Sequence, residues 1–321
     1  MEAPLRIGKL EIASRVLVAP MSGVSDLPFR RVVQRLRPGF VVSEMVAGRE
    51  LCEGNADTEL RAAGSGEITP LVIQLVGNDP LWMARGAARA QSLGADVVDI
   101  NMGCPARKVT TGAAGSALMR DPDLALDIVR AVVGAVSVPV TLKMRLGWDA
   151  DTLYAALIAR EAEAMGVQLF TVHGRTRQQF YTGRADWRAV RAVVEAVRVP
   201  VVVNGDINSG ETARQALAQS GAAAVMVGRP WCLNAVKAGL GEPTVPVAER
   251  GEVAVRHYRD MIKHYPAGRG VRVARKHVQG YLSGAGVAQD IISQTLRSTC
   301  PQEVEDALRA AFAGSAVRVA A

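Results

Sequence analysis

The chain has 321 residues, of which 49% are hydrophobic and 21% charged, so it can bury the core of one large α/β domain and of a smaller second one. Its formal charge is +7, and basic residues crowd the stretch 256–276, a pattern typical of polyanion-binding proteins and equally of a solvated basic helix face. The four widely spaced cysteines argue against a disulfide framework or a metal site and favour a reducing cytoplasm. The sequence begins without the pattern of a signal peptide, and none of its apolar runs is long enough to predict a membrane span.

Eight short runs rich in β-branched residues alternate with longer amphipathic patterns. The runs are R-V-L-V-A-P (15–20), F-V-V-S-E-M (40–45), L-V-I-Q-L-V-G (71–77), V-V-D-I-N-M-G (97–103), V-P-V-T-L-K-M-R (138–145), L-F-T-V-H-G (169–174), P-V-V-V-N-G-D (200–206) and A-V-M-V-G (224–228). The intervening patterns predict helices such as 121–136, with Asp121 as its N-cap and Pro122 in its first turn. Eight strand–helix units in about 230 residues predict an α/β fold of the (β/α)8 TIM barrel type. A doubly wound open sheet is less favoured, because no G-x-G-x-x-G follows the first run.

The pattern changes after residue 228. The segment G-L-G-E-P-T-V-P (239–246) predicts a linker, and helical patterns follow at 254–265 and 271–282 with a break at 266–270. We therefore predict two domains, a catalytic barrel over 1–240 and a small C-terminal helical domain over 245–321.

Polar residues follow nearly every predicted strand. Because the active sites of TIM barrels lie at the carboxyl ends of their strands, these side chains predict a lined pocket. The strand-end residues are Pro20, Met21, Glu44, Gln74, Asn101, Cys104, Lys143, Arg145, His173, Asn204, Asp206, Gly228 and Arg229.

Two of these strand ends indicate a phosphate site. Gly228 and Arg229 follow the eighth run and N-G-D (204–206) follows the seventh, where barrels commonly bind phosphate. Lys143, inside its run, has three interpretations: a structural ion-pair partner, a Schiff-base lysine of an aldolase, or a cation beside an electron-rich cofactor ring. Gln74 and His173 at neighbouring strand ends favour the third, since an amide and an imidazole can bind a heteroaromatic ring or its side chain.

Cys104 lies on a Gly-Cys-Pro turn directly after the fourth run, with Arg107 and Lys108 close behind it. Most buried free cysteines are inert, and that interpretation suits Cys52 and the two remaining cysteines. The turn and the adjacent cations make Cys104 a candidate nucleophile or general acid, and spacing alone leaves both roles open.

Together these segments resemble the tRNA-dihydrouridine synthases, flavoenzymes that reduce uridines in the D-loop of tRNA, and they are most similar to the bacterial B-type (nitrogen-regulation-like) branch. The resemblance runs from about residue 6 to residue 285. Its segments are A-P-M-S-G-V-S-D-L-P-F-R (19–30), V-S-E-M (42–45), Q-L-V-G (74–77), D-I-N-M-G-C-P (99–105), L-K-M-R-L-G-W (142–148), T-V-H-G-R-T-R (171–177), V-N-G-D-I (203–207), M-V-G-R-P-W (226–231) and V-R-V-A-R-K-H (271–277).

The resemblance implies bound FMN, NADPH as the reductant and a tRNA uridine as the substrate. It implies Cys104 as the catalytic acid, which protonates C5 of uracil after a hydride reaches C6. It also implies flavin-binding residues, which are Pro20, Met21, Ser22, Gln74, Lys143, His173, Asn204, Gly205, Asp206, Gly228 and Arg229. The residues expected to contact the substrate or other parts of the RNA are Asn101, Arg107, Lys108, Arg175, Arg177, Arg272, Arg275 and Lys276.

Three alternatives remain at this point. They are an FMN barrel that acts on a free pyrimidine, as dihydroorotate dehydrogenases do, an aldolase that uses Lys143, and a non-catalytic RNA-binding protein. We expect no metal, no membrane association and a monomer.

Overall fold

The computed structural model describes residues 5–228, 233–244, 250–266 and 268–313. Within them the strands are β1 (Leu5–Ile7), β2 (Leu10–Ile12), β3 (Val16–Val18), β4 (Val42–Ala47), β5 (Val72–Val76), β6 (Val97–Met102), β7 (Val140–Arg145), β8 (Val167–His173), β9 (Val201–Asn204) and β10 (Ala224–Val227). Strands β3 to β10 form one eight-stranded parallel sheet in the order β3-β10-β9-β8-β7-β6-β5-β4. A parallel bridge between Val18 and Val41 joins the first strand of that order to the chain entering the last. The predicted (β/α)8 barrel is confirmed.

The barrel strands are buried along almost their whole length, as expected for strands covered by helices on one side and a filled interior on the other. This explains why they are continuous β-branched runs in the sequence. The sequence analysis did not anticipate the antiparallel β1–β2 hairpin that precedes them. Leu5, Ile7 and Ile12 of the hairpin segment pack against residues that begin barrel strands, among them Val72 and Val97, so the hairpin adds to the barrel core.

Helices follow most of the barrel strands. Their bounds are α1 (Leu27–Arg35), α2 (Gly48–Cys52), α3 (Ala56–Ala62), α4 (Pro80–Ser92), α5 (Arg107–Thr110), α6 (Pro122–Ala135), α7 (Ala155–Met165), α8 (Arg191–Ala196), α9 (Gly210–Ser220), α10 (Leu233–Gly239), α11 (Arg250–His264), α12 (Arg269–Gly284), α13 (Gln289–Arg297) and α14 (Pro301–Phe312), with a 3₁₀ helix at Gly115–Arg120. The predicted cap of α6 is confirmed, since Asp121 Oδ1 accepts the backbone N–H of Leu124 at 3.2 Å.

The chain divides into two compact units. One consists of Met1–Leu27 with Val33–Pro243 and the other of Pro28–Val32 with Thr244–Ala321. In the second unit the core is built from one face of α11 and α12 together with α13 and α14. None of the helices in the described ranges is long and apolar enough to cross a membrane.

Candidate active site at the mouth of the barrel

A cavity opens at the carboxyl ends of the barrel strands. Its volume of about 1240 Å³ exceeds the roughly 300–1,000 Å³ of ordinary small-molecule sites, so it has room for a cofactor and part of a second ligand. Most of the predicted site residues line it together. They are Pro20, Met21, Ser22, Gln74, Asn101, Cys104, Lys108, Lys143, His173, Arg175, Asn204, Gly205, Asp206 and Gly228.

Register between neighbouring strands explains this convergence. Asn101 of β6 lies opposite Lys143 of β7, Arg145 of β7 opposite His173 of β8, and His173 opposite Asn204 of β9. Side chains at paired positions of neighbouring parallel strands point to the same side of the sheet, and those at the carboxyl ends line the cavity.

The turn that carries Cys104 is held by hydrogen bonds to its backbone. Asn101 Oδ1 accepts the backbone N–H of Gly103 at 3.1 Å and that of Cys104 at 3.0 Å. The carbonyl of Cys104 accepts both the hydroxyl of Ser116, at 2.8 Å, and the backbone N–H of the same residue, at 3.1 Å. Cys104 is half-buried and lines the cavity, and its thiol takes no part in these bonds.

Arg145, which the sequence placed at a strand end without a role, fastens this turn to the opposite loop. Its Nε donates to the carbonyl of Gly103 at 2.9 Å, and its Nη1 donates to the carbonyls of Thr176 and Phe180, each at 2.8 Å. Burial, more than the nearby Arg175, lowers the pKa of Arg145 to about 10, so it still carries a full charge at neutral pH. The available signal was its spacing from Lys143, because residues two apart on a strand share a face.

Lys143 presents a half-buried ammonium to the cavity. Its Nζ donates to Asn204 Oδ1 at 3.2 Å, and Asn204 Nδ2 donates to the carbonyl of Met226 at 2.8 Å, which fixes the orientation of the amide. Burial, and after it the charge of Arg145, lowers the pKa of Lys143 to about 8. Within the described residues Asn204 is the one hydrogen-bond partner of Nζ, so two of the three ammonium protons remain for a ligand in the cavity.

Arg175 makes several hydrogen bonds at the rim of the barrel. Its Nη2 donates to both carboxylate oxygens of Asp206, at 2.8 and 3.0 Å, and to the carbonyl of Gly183, while Nε donates to the carbonyl of Thr182. Asp206 itself adopts a positive φ of 56° and also accepts the backbone N–H of Ala185. In this structure the pair holds the loop after β8 to the loop after β9, and ligand contacts by either residue stay a prediction.

The imidazole of His173 is held neutral beside this cation. Burial, reinforced by Lys143 and two arginines, lowers its pKa well below the usual value. Its Nε2 lies 3.2 Å from Arg175 Nη1, which can only donate, so we assign Nε2 as the acceptor and place the proton on Nδ1.

The predicted phosphate end is partly described. Gly228 lines the cavity, and a Cβ added to it would have none of the described residues within 4 Å. Gly205 has a φ of +113°, and an added Cβ would lie 2.7 Å from Ala185 Cβ and 2.8 Å from His173 Cδ2, so the loop after β9 requires glycine there. Arg229 lies outside the described residues.

Some of the predicted RNA contacts lie away from the cavity. Arg107 is exposed on the short helix α5, next to Lys108. The guanidinium of Arg177 lies 4.7 Å from the ring centre of Trp148, which also contacts Arg120 at 4.6 Å.

The exposed aromatic side chains of Phe180 and Tyr181, which the sequence analysis did not single out, line the cavity.

The remaining predicted contacts lie on α12 in the helical unit. Arg272 and Lys276 are exposed one turn apart, and Arg275 is half-buried between them. The opposite face of the helix, including Ala274 and Val278, is buried in the core of this unit. The expected helical spacing of these cations is therefore confirmed, while their contact with RNA stays a prediction.

Comparisons with known proteins place the chain in a family. Residues 17–316 match the family model described as Dihydrouridine synthase (Dus). A "Probable tRNA-dihydrouridine synthase" of Rhodobacter capsulatus is 48% identical over 96% of this chain and 98% of that protein. A "Probable tRNA-dihydrouridine synthase" of Rhizobium leguminosarum is 51% identical over 85% of this chain and 86% of that protein. The "tRNA-dihydrouridine synthase B" of Pseudomonas aeruginosa is 42% identical over 90% of each chain.

Solved structures are similar in fold. Morphinone reductase in complex with tetrahydroNAD superimposes with a TM-score of 0.53 at 16% identity, over 76% of this chain and 91% of that one. This similarity supports the barrel architecture found here. The family model and the relatives, which extend through both compact units, show that the chain belongs to the dihydrouridine synthase family.

Proposed function

We propose that this protein is a tRNA-dihydrouridine synthase, which uses FMN and NADPH to reduce the C5–C6 double bond of a D-loop uridine in tRNA. The observation that carries the proposal is that one cavity is lined both by Cys104, whose backbone is held by Asn101, and by the half-buried ammonium of Lys143 on the neighbouring strand. We further propose that the enzyme works as a cytoplasmic monomer, with the barrel as its flavin-binding catalytic domain and the helical unit as its tRNA-binding domain.

The residues present suit FMN. The cavity has room for it, Lys143 offers two N–H donors without a partner among the described residues, and none of those residues fills the space beside Gly228 at the expected phosphate end. When bound, the reduced flavin would supply a hydride to C6 of the uracil. The ammonium of Lys143 would stabilise negative charge on the pyrimidine edge of the isoalloxazine ring, and His173 would offer its Nδ1–H to the ribityl or phosphate groups.

In the same proposal Cys104 completes the reduction. Addition of a hydride at C6 places negative charge on C5 and on the C4 oxygen of the uracil, and C5 must then gain a proton. The Sγ–H of Cys104 donates that proton, while the backbone bonds from Asn101 and Ser116 keep the turn in place. The uridine must leave its stack to reach the cavity, as bases do in enzymes that modify them.

The proposal is tested by incubating the purified, FMN-loaded protein with NADPH and an unmodified tRNA transcript. We expect a yellow protein and one mapped dihydrouridine in the D-loop, detected by mass spectrometry. Free uridine and orotate serve as control substrates. Turnover of either without dihydrouridine in tRNA would replace this proposal with the free-pyrimidine alternative, and a colourless protein that binds no flavin would refute both.

Charge reversal on α12 tests the tRNA-binding role of the helical unit. The exposed pair Arg272→Glu with Lys276→Glu is expected to weaken tRNA binding about tenfold or more and to reduce the salt dependence of log K by about one for each lost phosphate contact. Binding is measured by filter retention across several salt concentrations. Arg297→Glu, an equally exposed change in the same unit, is the control and should bind normally. Unchanged affinity and salt slope in the double variant would exclude this face from the interface.

A further inference from the structure

A line of buried polar side chains runs across β5, β6 and β7 next to the cysteine turn. Register places Gln74 opposite Asp99, and Asp99 opposite Thr141. Gln74 is 0% exposed and Asp99 4% exposed, so their polar atoms must find partners within the protein.

Hydrogen bonds connect this line to the backbone of Cys104. Asp99 Oδ1 accepts the hydroxyl of Thr141 at 2.6 Å, and Asp99 Oδ2 accepts Nε2 of Gln74 at 2.6 Å. Gln74 Oε1 in turn accepts Nδ2 of Asn101 at 2.7 Å. Asn101 Oδ1 then accepts the backbone N–H of Cys104 at 3.0 Å.

The direction of every bond in this chain is determined at both ends. At one end the backbone N–H of Cys104 can only donate, so Asn101 must present its oxygen there and its NH₂ to Gln74. Gln74 must then present its oxygen to Asn101 and its NH₂ to Asp99. At the other end an ionised carboxylate can only accept, so the two ends impose the same direction.

The neighbours of Asp99 oppose the effect of its burial. Burial raises the pKa of Asp99 above its usual value, and the hydrogen bonds from Thr141 and Gln74 and the positive charge of Lys143 partly offset this rise. The carboxylate of Asp99 therefore depends on its neighbours to remain ionised. Within this line of hydrogen bonds it is the one group whose protonation could allow the side-chain amides of Gln74 and Asn101 to exchange their oxygen and nitrogen positions.

We propose that Asp99 is a positioning residue, which acts through Gln74 and Asn101 to fix the direction of two amide groups and thereby hold the Cys104 turn for proton transfer. The inference rests on the proposed function, because it assigns the turn its role in uridine reduction. If the amides turned over, the NH₂ of Asn101 would face the backbone N–H of Cys104, and the turn would lose the hydrogen bond that holds it.

Gln74→Glu tests the proposal, since it brings two carboxylates together. The two carboxylates must share a proton to stay within hydrogen-bond distance of each other, so the line of hydrogen bonds from Asp99 through residue 74 to Asn101 is kept at low pH and is disrupted by charge repulsion as the pH rises. We expect the rate of uridine reduction relative to the unaltered protein to fall about tenfold per pH unit above the pKa of the pair. Adding Asp99→Asn supplies an amide N–H to the new carboxylate, so the double variant should regain most of the rate and lose this pH dependence.

The double variant separates positioning from other effects of the introduced carboxylate. It keeps the same charge at position 74, so a loss caused by disturbed flavin contacts would persist in it. We also expect Asp99→Asn alone to lower the rate of uridine reduction by about tenfold, as changes to supporting residues commonly do, while NADPH-driven bleaching of the flavin stays within about twofold. A double variant as slow and as pH-dependent as Gln74→Glu would overturn the proposal.

Alkylation of Cys104 by iodoacetamide in the FMN-loaded proteins, followed by mass spectrometry, needs neither tRNA nor NADPH. We expect its pH profile to change in Gln74→Glu and to return in the double variant. Identical profiles in all three proteins would overturn the positioning role. Absence of dihydrouridine formation by the unaltered protein would instead refute the proposed function, so the two failures are distinguishable.

Discussion

Replacing Cys104 with alanine is expected to reduce dihydrouridine formation by about 10² to 10⁴-fold, the usual contribution of a positioned general acid. The change removes the thiol and leaves the turn intact, because Asn101 and Ser116 bind the backbone of Cys104 and not its side chain. Flavin content and NADPH-driven flavin bleaching should therefore remain normal. The measurement is a single-turnover reaction in which reduced, tRNA-bound enzyme is followed by flavin reoxidation and by dihydrouridine content.

Cys52→Ala is the matched control for this experiment. Cys52 is also a free, half-buried cysteine, but it ends α2 and is absent from the cavity lining. Burial raises the pKa of its thiol, as expected for an inert cysteine. The control should reduce uridine at the normal rate. Dihydrouridine formed at the normal rate by Cys104→Ala would show that another group supplies the proton.

The fold was largely predictable because barrel strands are buried on both faces. Each β-branched run identified in the sequence contains an observed strand or lies within two residues of its ends. The β1–β2 hairpin was missed because its two strands have three residues each, too few for a periodic pattern to stand out. A signal was nevertheless present, since apolar and polar residues alternate in L-R-I-G-K-L-E-I around Gly8, whose φ of 57° suits a tight turn.

The cavity lining was predictable in position but not in bonding. Strand ends identified residues such as Gln74 and Arg175 as members of one rim, since parallel strands end at the same face. Their partners depend on strand register and on rotamers that a single sequence does not determine. Thus the amide oxygen of Gln74 bonds Asn101 and its NH₂ bonds Asp99, while Arg175 binds Asp206, two loop carbonyls and the imidazole of His173.

Replacing Lys143 with methionine is expected to slow NADPH-driven flavin bleaching and uridine reduction together, by about 10² to 10³-fold. This is the magnitude found when a preorganised electrostatic group is removed from a closed site. Lys143 supplies a half-buried charge whose described partner, Asn204, is neutral. Arg145, the other cation at this strand end, does not replace it because its nitrogens donate to carbonyls of other loops. Stopped-flow absorbance separates the two steps.

Lys108→Met is the matched control, because Lys108 also lines the cavity but lies on the exposed helix α5. It should leave flavin bleaching by NADPH within about twofold, since an exposed charge is screened by water. Equal losses in both variants would mean that positive charge anywhere along the cavity, and not the Lys143 ammonium in particular, supports the reaction. A normal bleaching rate in Lys143→Met would remove Lys143 from the flavin site.

The pH dependence of Lys143 provides a readout independent of turnover. The ammonium is protonated below its pKa of about 8 in the folded protein and loses its charge above it, whereas the same group in the unfolded chain stays charged up to about 10.5. Between these values the unfolded state binds more protons, so the free energy of unfolding should rise with pH. Lys143→Met removes this group, and its urea-unfolding profile should therefore be flatter across that window and its stability greater below pH 8. The positive charge of Lys143 lowers the stability of the flavin-free protein, and the proposed flavin site requires the same charge. A Lys143→Met protein that is more stable but reduces flavin slowly would support both roles of this charge.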